Sequence, residues 1–216
     1  MRSLTRLLIG ALLASAAVRA HALESVWSRL PAGLPADSLG PALQRIEAAG
    51  PRATAAAAAY ALGQFHQARG EYQPAAQAFG RAAARLQGFD RAEARYRQGV
   101  SLLGERQPDR ARAAFEEVIQ LSPPHRPLAQ LGLAQSFALA GDQDQELNVL
   151  RRLLDGPAGE AEPAALERYA ALCDREHRAS EARAARERLR QRWPRSVEAA
   201  RLAAQPAAEP APAEQP

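Results

Sequence analysis

Small and bulky apolar residues recur along the chain with the spacing expected of paired amphipathic helices. Ala75, Phe79 and Ala82 are four and three residues apart, which places them on one face of a helix. Gly63 provides a small residue where a preceding helix would cross that face. Between the two, Gly70 suits the left-handed conformation that closes a helix C-terminus. The pattern predicts a helical hairpin.

The same pattern returns three more times. Small residues in equivalent positions, Gly63, Gly99, Ala134 and Ala170, are separated by 36, 35 and 36 residues. A fixed period in this range is typical of stacked hairpins, in which each hairpin buries its face against the next. No strand signal occurs, so an all-α fold is predicted. An Ala-rich helical bundle without true repeats is the alternative, but it does not explain the recurring spacing.

These residues resemble the tetratricopeptide repeat (TPR) family. The family pattern has a bulky and a small residue in the first helix, a Gly-acidic turn, an Ala, an aromatic residue four positions later and a closing Pro. The second unit departs from it with Arg106 and Gln107 at the turn, and the fourth with His177 at the turn and Arg186 at the aromatic position. The resemblance implies a right-handed superhelix of stacked helical hairpins, a TPR-like α-solenoid of about four repeats.

Residues 1–22 have the three parts of an export signal. Arg2 and Arg6 precede an apolar run over residues 7–18, and Ala20-His21-Ala22 forms a small-x-small cleavage site. The run is shorter than the ~20 residues that span a membrane. We expect cleavage and a periplasmic or secreted chain with no integral membrane span. No cysteine lies near the cleavage site, so the sequence does not indicate a lipid anchor. The alternative is an uncleaved anchor or a buried N-terminal helix.

The remaining boundaries follow Pro and Gly punctuation. Residues 23–50 are interpreted as an N-terminal capping segment, either a degenerate helical pair or a disordered spacer. Residues 51–198 form the predicted repeat domain. Residues 199–216 are predicted to be a disordered tail, because its end contains only Ala, Pro, Glu and Gln.

Composition excludes several function classes. Loss of the three signal arginines from 28 basic residues leaves 25 against 24 acidic ones, so the mature chain is close to neutral. Every basic residue is Arg and no basic block with interleaved aromatics occurs, so no nucleic-acid partner is expected.

Catalytic and metal-binding motifs are missing from the sequence. The histidines of the mature chain, His66, His125 and His177, stand apart without metal-ligand spacing, and no nucleophile motif occurs. Cys173 falls on the packed face of a helix, so a buried hydrophobe is favoured over a reactive thiol. No enzymatic activity, cofactor or metal is expected.

The family resemblance implies that the first helix of each hairpin lines a concave groove for a protein or peptide partner. By register the groove positions are Tyr60, Gln64 and Gln67; Glu93, Tyr96, Val100 and Leu103; Leu131, Gln135 and Ala138; and Glu167, Asp174 and Arg175. A register shift of one residue would place several of them in the core. The expected function is a non-catalytic periplasmic scaffold in cell-envelope assembly. The alternative is a self-associating structural or regulatory subunit of an envelope complex.

Overall fold

The computed structural model describes residues 25–204, and within them helices alternate with short turns and no strand occurs. The helices are α1 (Ala36–Ala49), α2 (Arg52–Ala68), α3 (Tyr72–Arg85), α4 (Gly88–Gly104), α5 (Pro108–Leu121), α6 (Arg126–Ala140), α7 (Gln143–Asp155), α8 (Glu162–Arg175), α9 (Ala179–Arg192) and α10 (Val197–Ala204). Short 3₁₀ turns at Pro123–His125 and Gly159–Ala161 lead into α6 and α8. The predicted all-α helical repeat fold is confirmed.

Close approach of paired helices depends on glycine, as the sequence pattern predicts. A Cβ atom on Gly63 would lie 2.7 Å from ring carbons of Phe79, and one on Gly99 would lie 2.7 Å from Phe115. The ring of Phe115 also faces Gly132 of α6, where a Cβ would lie 2.5 Å away. Both phenylalanines are fully buried. Each phenylalanine ring therefore occupies space that is open only because the facing residue is a glycine, which has no Cβ atom.

All four hairpin turns have the same backbone geometry. Their left-handed residues are Gly70 (φ 72°), Arg106 (φ 57°), Gly141 (φ 81°) and His177 (φ 57°). In the second turn the Gln107 N–H donates to the Leu102 carbonyl at 2.9 Å, which closes the helix end as a Schellman motif does. The departures from glycine at two turns therefore change the residue and leave the turn conformation intact.

Helix α1 behaves as the second helix of an incomplete hairpin at the N-terminal side of the repeats. It begins 36 residues before α3, and Leu43 in α1 takes the place that Phe79 has in α3. Leu43 is fully buried in one apolar cluster with Val26. The Glu47 carboxylate accepts a hydrogen bond from Arg81 Nε in α3 at 2.7 Å. Within the predicted capping segment, the structure therefore contains helix α1 packed on the first hairpin, and its role as a cap stays a prediction.

The chain divides into two compact units between Glu146 and Leu147. In the second, the buried Glu162 carboxylate accepts hydrogen bonds from Arg188 Nε at 2.7 Å and Trp193 Nε1 at 3.0 Å, which ties the start of α8 to the end of α9. Polar contacts therefore help apolar packing to hold α8 and α9 together.

The last described helix extends past the predicted start of the tail at residue 199. Residues 199–204 were assigned to the disordered tail, but they complete helix α10, where Ala199 is 6% exposed and Arg201 lies 3.1 Å from Glu167 of α8. Contact with α8 gives this segment the burial that its composition did not suggest. The predicted signal at 1–22 and residues 205–216 lie outside the described residues. Among residues 25–204, no helix combines the length and apolar character needed to cross a membrane.

Candidate functional site

The first helices of three hairpins, α2, α4 and α6, leave one set of equivalent positions partly open. We call this set the inner face: Gln64, Gln67, Tyr96, Val100, Leu103, Leu131, Gln135 and Ala138. Gln135 is exposed and the other seven are half-buried. Each helix contributes two or three residues because the repeat period brings the same helix side round each time. These positions have the partial exposure that a contact surface requires.

Two of the predicted groove residues lie elsewhere. Tyr60 has no exposed surface, and its ring packs edge-to-face on Phe79 with centroids 5.3 Å apart. Glu93 is 8% exposed. Tyr60 belongs to the apolar cluster that includes Leu43 of α1, so the folded N-terminal segment adds to the core around it. A side chain with no exposed surface cannot contact a partner in this conformation, so Tyr60 is a core residue.

A buried hydrogen-bond network centres on the Glu93 carboxylate. Its Oε1 accepts from the Tyr60 hydroxyl at 3.2 Å and from Arg97 Nε at 2.9 Å. Its Oε2 lies 3.0 Å from His125 Nε2, and His125 Nδ1 lies 2.9 Å from the Ser122 hydroxyl. Since a carboxylate only accepts, His125 donates to Glu93 through Nε2. One carboxylate thereby connects α2, α4 and the turn before α6.

The network changes the electrostatics of Arg97. Burial acts to lower the pKa of Arg97, but the hydrogen bond and charge of Glu93 outweigh it and hold that pKa above its ordinary value. The guanidinium therefore keeps its charge, and that charge is opposed by a carboxylate inside the protein. Although Ser122, His125 and Glu93 form a chain of hydrogen bonds, Ser122 is only 3% exposed. A substrate cannot reach this hydroxyl, so the chain suits a structural role.

Sequence reasoning missed most of this network. It treated His125 as an isolated histidine, whereas the structure places it against Glu93, 32 positions away in the sequence. Only the pair of Glu93 and Arg97 carried a local signal, because residues four apart on a helix are neighbours. His66 is half-buried, and its Nδ1 lies 2.6 Å from the Glu71 carboxylate.

The remaining predicted groove residues belong to the second unit. Glu167 is half-buried and pairs with Arg201, while Asp174 and Arg175 are exposed. Asp174 pairs with Arg186, the residue that replaces the aromatic side chain in this hairpin, with Arg186 Nη1 3.2 Å from Oδ1. Two of the three are therefore engaged in ion pairs within their own unit.

A shallow pocket in the second unit is lined by Arg151, Tyr169, Glu181 and Arg188 among others. The Tyr169 hydroxyl donates to Glu181, and hydrogen bonds from Tyr169 and Arg178 lower the pKa of that carboxyl. The polar side chains of the pocket thus form hydrogen bonds within the protein. The pocket therefore offers no specific reason to assign a ligand.

Metal and thiol chemistry have little support in the part of the chain that the structure describes. Within residues 25–204, no group of three or more His, Cys, Asp or Glu side chains is placed to hold a metal ion. Cys173 is buried and unpaired with another cysteine, as predicted, and burial raises the pKa of its thiol. A raised pKa keeps the thiol protonated and unreactive.

Comparison with known proteins agrees with this architecture. Residues 93–125 match the model of the tetratricopeptide repeat family. These residues span α4 and α5, the hairpin that contains the buried network. No curated protein matches the chain.

Solved structures share the fold at low sequence identity. YrrB, described as a TPR protein with an unusual peptide-binding site, is 16% identical, with 77% of this chain and 84% of that chain covered and a TM-score of 0.57. A putative kinesin light chain of Podosopora anserina with nearly identical TPR-like repeats is 16% identical, with 79% and 88% covered and a TM-score of 0.59. A point variant of that protein is 15% identical, with 79% and 92% covered and a TM-score of 0.59.

The described residues define the class of this protein as an all-α helical repeat fold. The match to a tetratricopeptide repeat covers residues 93–125, and the similarity to the solved TPR structures extends to the helical repeat fold.

Proposed function

We propose that this chain is a non-catalytic periplasmic scaffold that binds a segment of a partner protein on the inner face, in the service of cell-envelope assembly. The observation that carries the proposal is the partial exposure of equivalent positions on α2, α4 and α6. Core packing accounts for the glycine and phenylalanine positions, and it leaves the inner face with side chains that are neither enclosed nor fully solvated. A partner that covers such a surface removes its apolar side chains from water, which favours binding.

The side chains of the inner face suit protein recognition. Tyr96 offers an aromatic surface whose ring centroid lies 5.9 Å from that of Phe115, so it is held by the core beneath it. Gln67 and Gln135 offer amide groups that both donate and accept hydrogen bonds. An aromatic ring supported by the core, together with polar amides, resembles the composition of many protein interfaces.

The test of the inner face is a matched pair of double variants. Gln67→Glu with Gln135→Glu places two charges on the inner face, and Gln87→Glu with Gln120→Glu makes the same change at exposed positions outside it. A photo-crosslinking residue at Leu131, introduced in the source cell, reports partner contact. We expect crosslinked partner to fall with the first pair and persist with the second. Equal crosslinking in both pairs would remove the inner face as the binding surface.

Export is tested separately, because the signal lies outside the described residues. Fusion of residues 1–30 to a reporter that is active only outside the cytoplasm should give activity, and N-terminal sequencing of the exported chain should begin near Leu23. A chain that retains Met1 in the cytoplasm would contradict the periplasmic assignment. Light scattering on the purified mature chain should show a monomer, whereas a stable dimer would favour a self-associating subunit.

A further inference from the structure

The inner face carries no charge of its own at neutral pH. Its side chains are three glutamines, one tyrosine and four aliphatic residues, drawn from α2, α4 and α6. The two charged residues of α4 closest to it in register are Glu93 and Arg97, and these form an ion pair with Arg97 Nε 2.9 Å from Glu93 Oε1. The inner face is therefore uncharged, and the opposite charges of the ion pair beside it offset each other.

Of this ion pair, Arg97 is the residue that a partner could reach. Its side chain is 37% exposed, whereas that of Glu93 is 10% exposed. Tyr96, a residue of the inner face, lies near enough to Arg97 to contribute to raising the pKa of its guanidinium. An acidic residue on a partner would have to compete for Arg97 with a carboxylate that is already in place.

The Glu93 carboxylate is fixed in its position beside Arg97 by further hydrogen bonds. Besides Arg97, its carboxylate is contacted by Tyr60 from α2 and by His125 from the turn before α6. These two contacts come from neighbouring hairpins, so Glu93 cannot turn away from Arg97 without losing hydrogen bonds to both hairpins. An incoming carboxylate would also lose its hydration and meet Glu93 as a like charge, which is unfavourable.

We infer that the inner face takes an uncharged, mainly apolar segment of a partner protein, and that Glu93 determines this specificity by cancelling the charge of Arg97. This inference rests on the proposed function and adds the chemistry of the partner. Val100, Leu103 and Leu131 supply the apolar contact, and Gln67 and Gln135 supply hydrogen bonds to the backbone of the segment. A charged partner side chain finds no free counter-charge on this surface.

Selection from a random-peptide display library on the intact mature chain tests the inference. The wild-type protein should enrich peptides with an uncharged apolar centre. Glu93→Gln keeps the shape and removes the anion, so it should shift selection toward acidic peptides. Arg97→Gln removes the cation and should shift selection toward basic ones. For one acidic peptide, Glu93→Gln should raise affinity over wild type by about tenfold, which corresponds to about 1.4 kcal/mol.

Glu117→Gln is the matched control. Glu117 pairs with Arg91 and Arg95 on the α4–α5 surface, so this substitution makes the same change in net charge away from the inner face. Its selected peptides should stay uncharged. The two test variants are expected to shift in opposite directions, which loss of folding in one of them cannot imitate.

The outcomes separate the two proposals. If wild type enriches acidic or basic peptides, or if Glu93→Gln and Arg97→Gln leave the selection unchanged, the specificity inference is overturned while binding on the inner face stands. If no peptide is enriched, or if Gln67→Glu with Gln135→Glu leaves the binding of enriched peptides unaltered, the proposed function falls and the inference with it.

Discussion

The contact between Gly99 and Phe115 gives a quantitative test of how the hairpins close. A Cβ on Gly99 would lie 2.7 Å from both Cε1 and Cζ of Phe115, and 3.0 Å from Cδ1. The ring cannot retreat freely, because its Cε1 and Cζ atoms also lie against Gly132 of α6. Overpacking of a core typically costs about 1–3 kcal/mol, while glycine to alanine in a helix gains about 0.5–1 kcal/mol. Gly99→Ala should therefore destabilise the protein, by up to about 2.5 kcal/mol.

The second variant removes the cause of the clash. Phe115→Leu lacks the Cε1 and Cζ atoms that make the two shortest contacts, and should itself cost about 1–3 kcal/mol by leaving space. In that background, Gly99→Ala should become neutral or stabilising by about 0.5–1 kcal/mol, because only the helix propensity remains. The double-mutant cycle should give a coupling energy of at least about 1 kcal/mol.

Urea unfolding followed by far-ultraviolet circular dichroism measures the free energy of unfolding of all four proteins. Gly80→Ala is the matched control, because the nearest atom to its added Cβ is Nε2 of Gln98, the end of a flexible side chain. It should stabilise by about 0.5–1 kcal/mol. If Gly99→Ala stabilises as much as Gly80→Ala, or if the cycle is additive, the close crossing does not set the packing.

Three further outcomes follow from the structure. Arg106→Gly should stabilise by about 0.5 kcal/mol in urea unfolding, because Arg106 has a left-handed φ of 57°, whereas Glu105→Gly at φ −81° should destabilise; the reverse order would contradict a strained turn. Glu93→Ala should lower the midpoint of thermal unfolding, with a loss of about 1–3 kcal/mol, because the buried His125 loses its acceptor and Arg97 its counter-charge; an unchanged midpoint would show that the network contributes nothing. Cys173 should react with a thiol reagent far more slowly than free cysteine until urea unfolds the chain, since burial raises its pKa; fast labelling of the folded chain would refute this.

The contribution of the sequence is clearest at the hairpin turns. Gly70 signalled a left-handed turn directly, and the period of the small residues indicated where the other three turns fall. At Arg106 and His177 the residue type argued against such a turn, yet both adopt it, with φ 57°. The helices on either side fix the turn, so the packing of the hairpin overrides the local preference of one residue.

The helical repeat and its period were determined by the sequence alone, because small and bulky residues must recur in phase wherever one hairpin packs on the next. The fate of single side chains was decided by the tertiary structure. Register placed Tyr60 on an open surface, but the apolar cluster that includes Leu43 encloses it. Likewise, His125 gained a partner in Glu93, 32 residues away. Periodicity is a local property that any stretch of chain reports, whereas burial and ion pairing depend on which distant segments come to lie alongside.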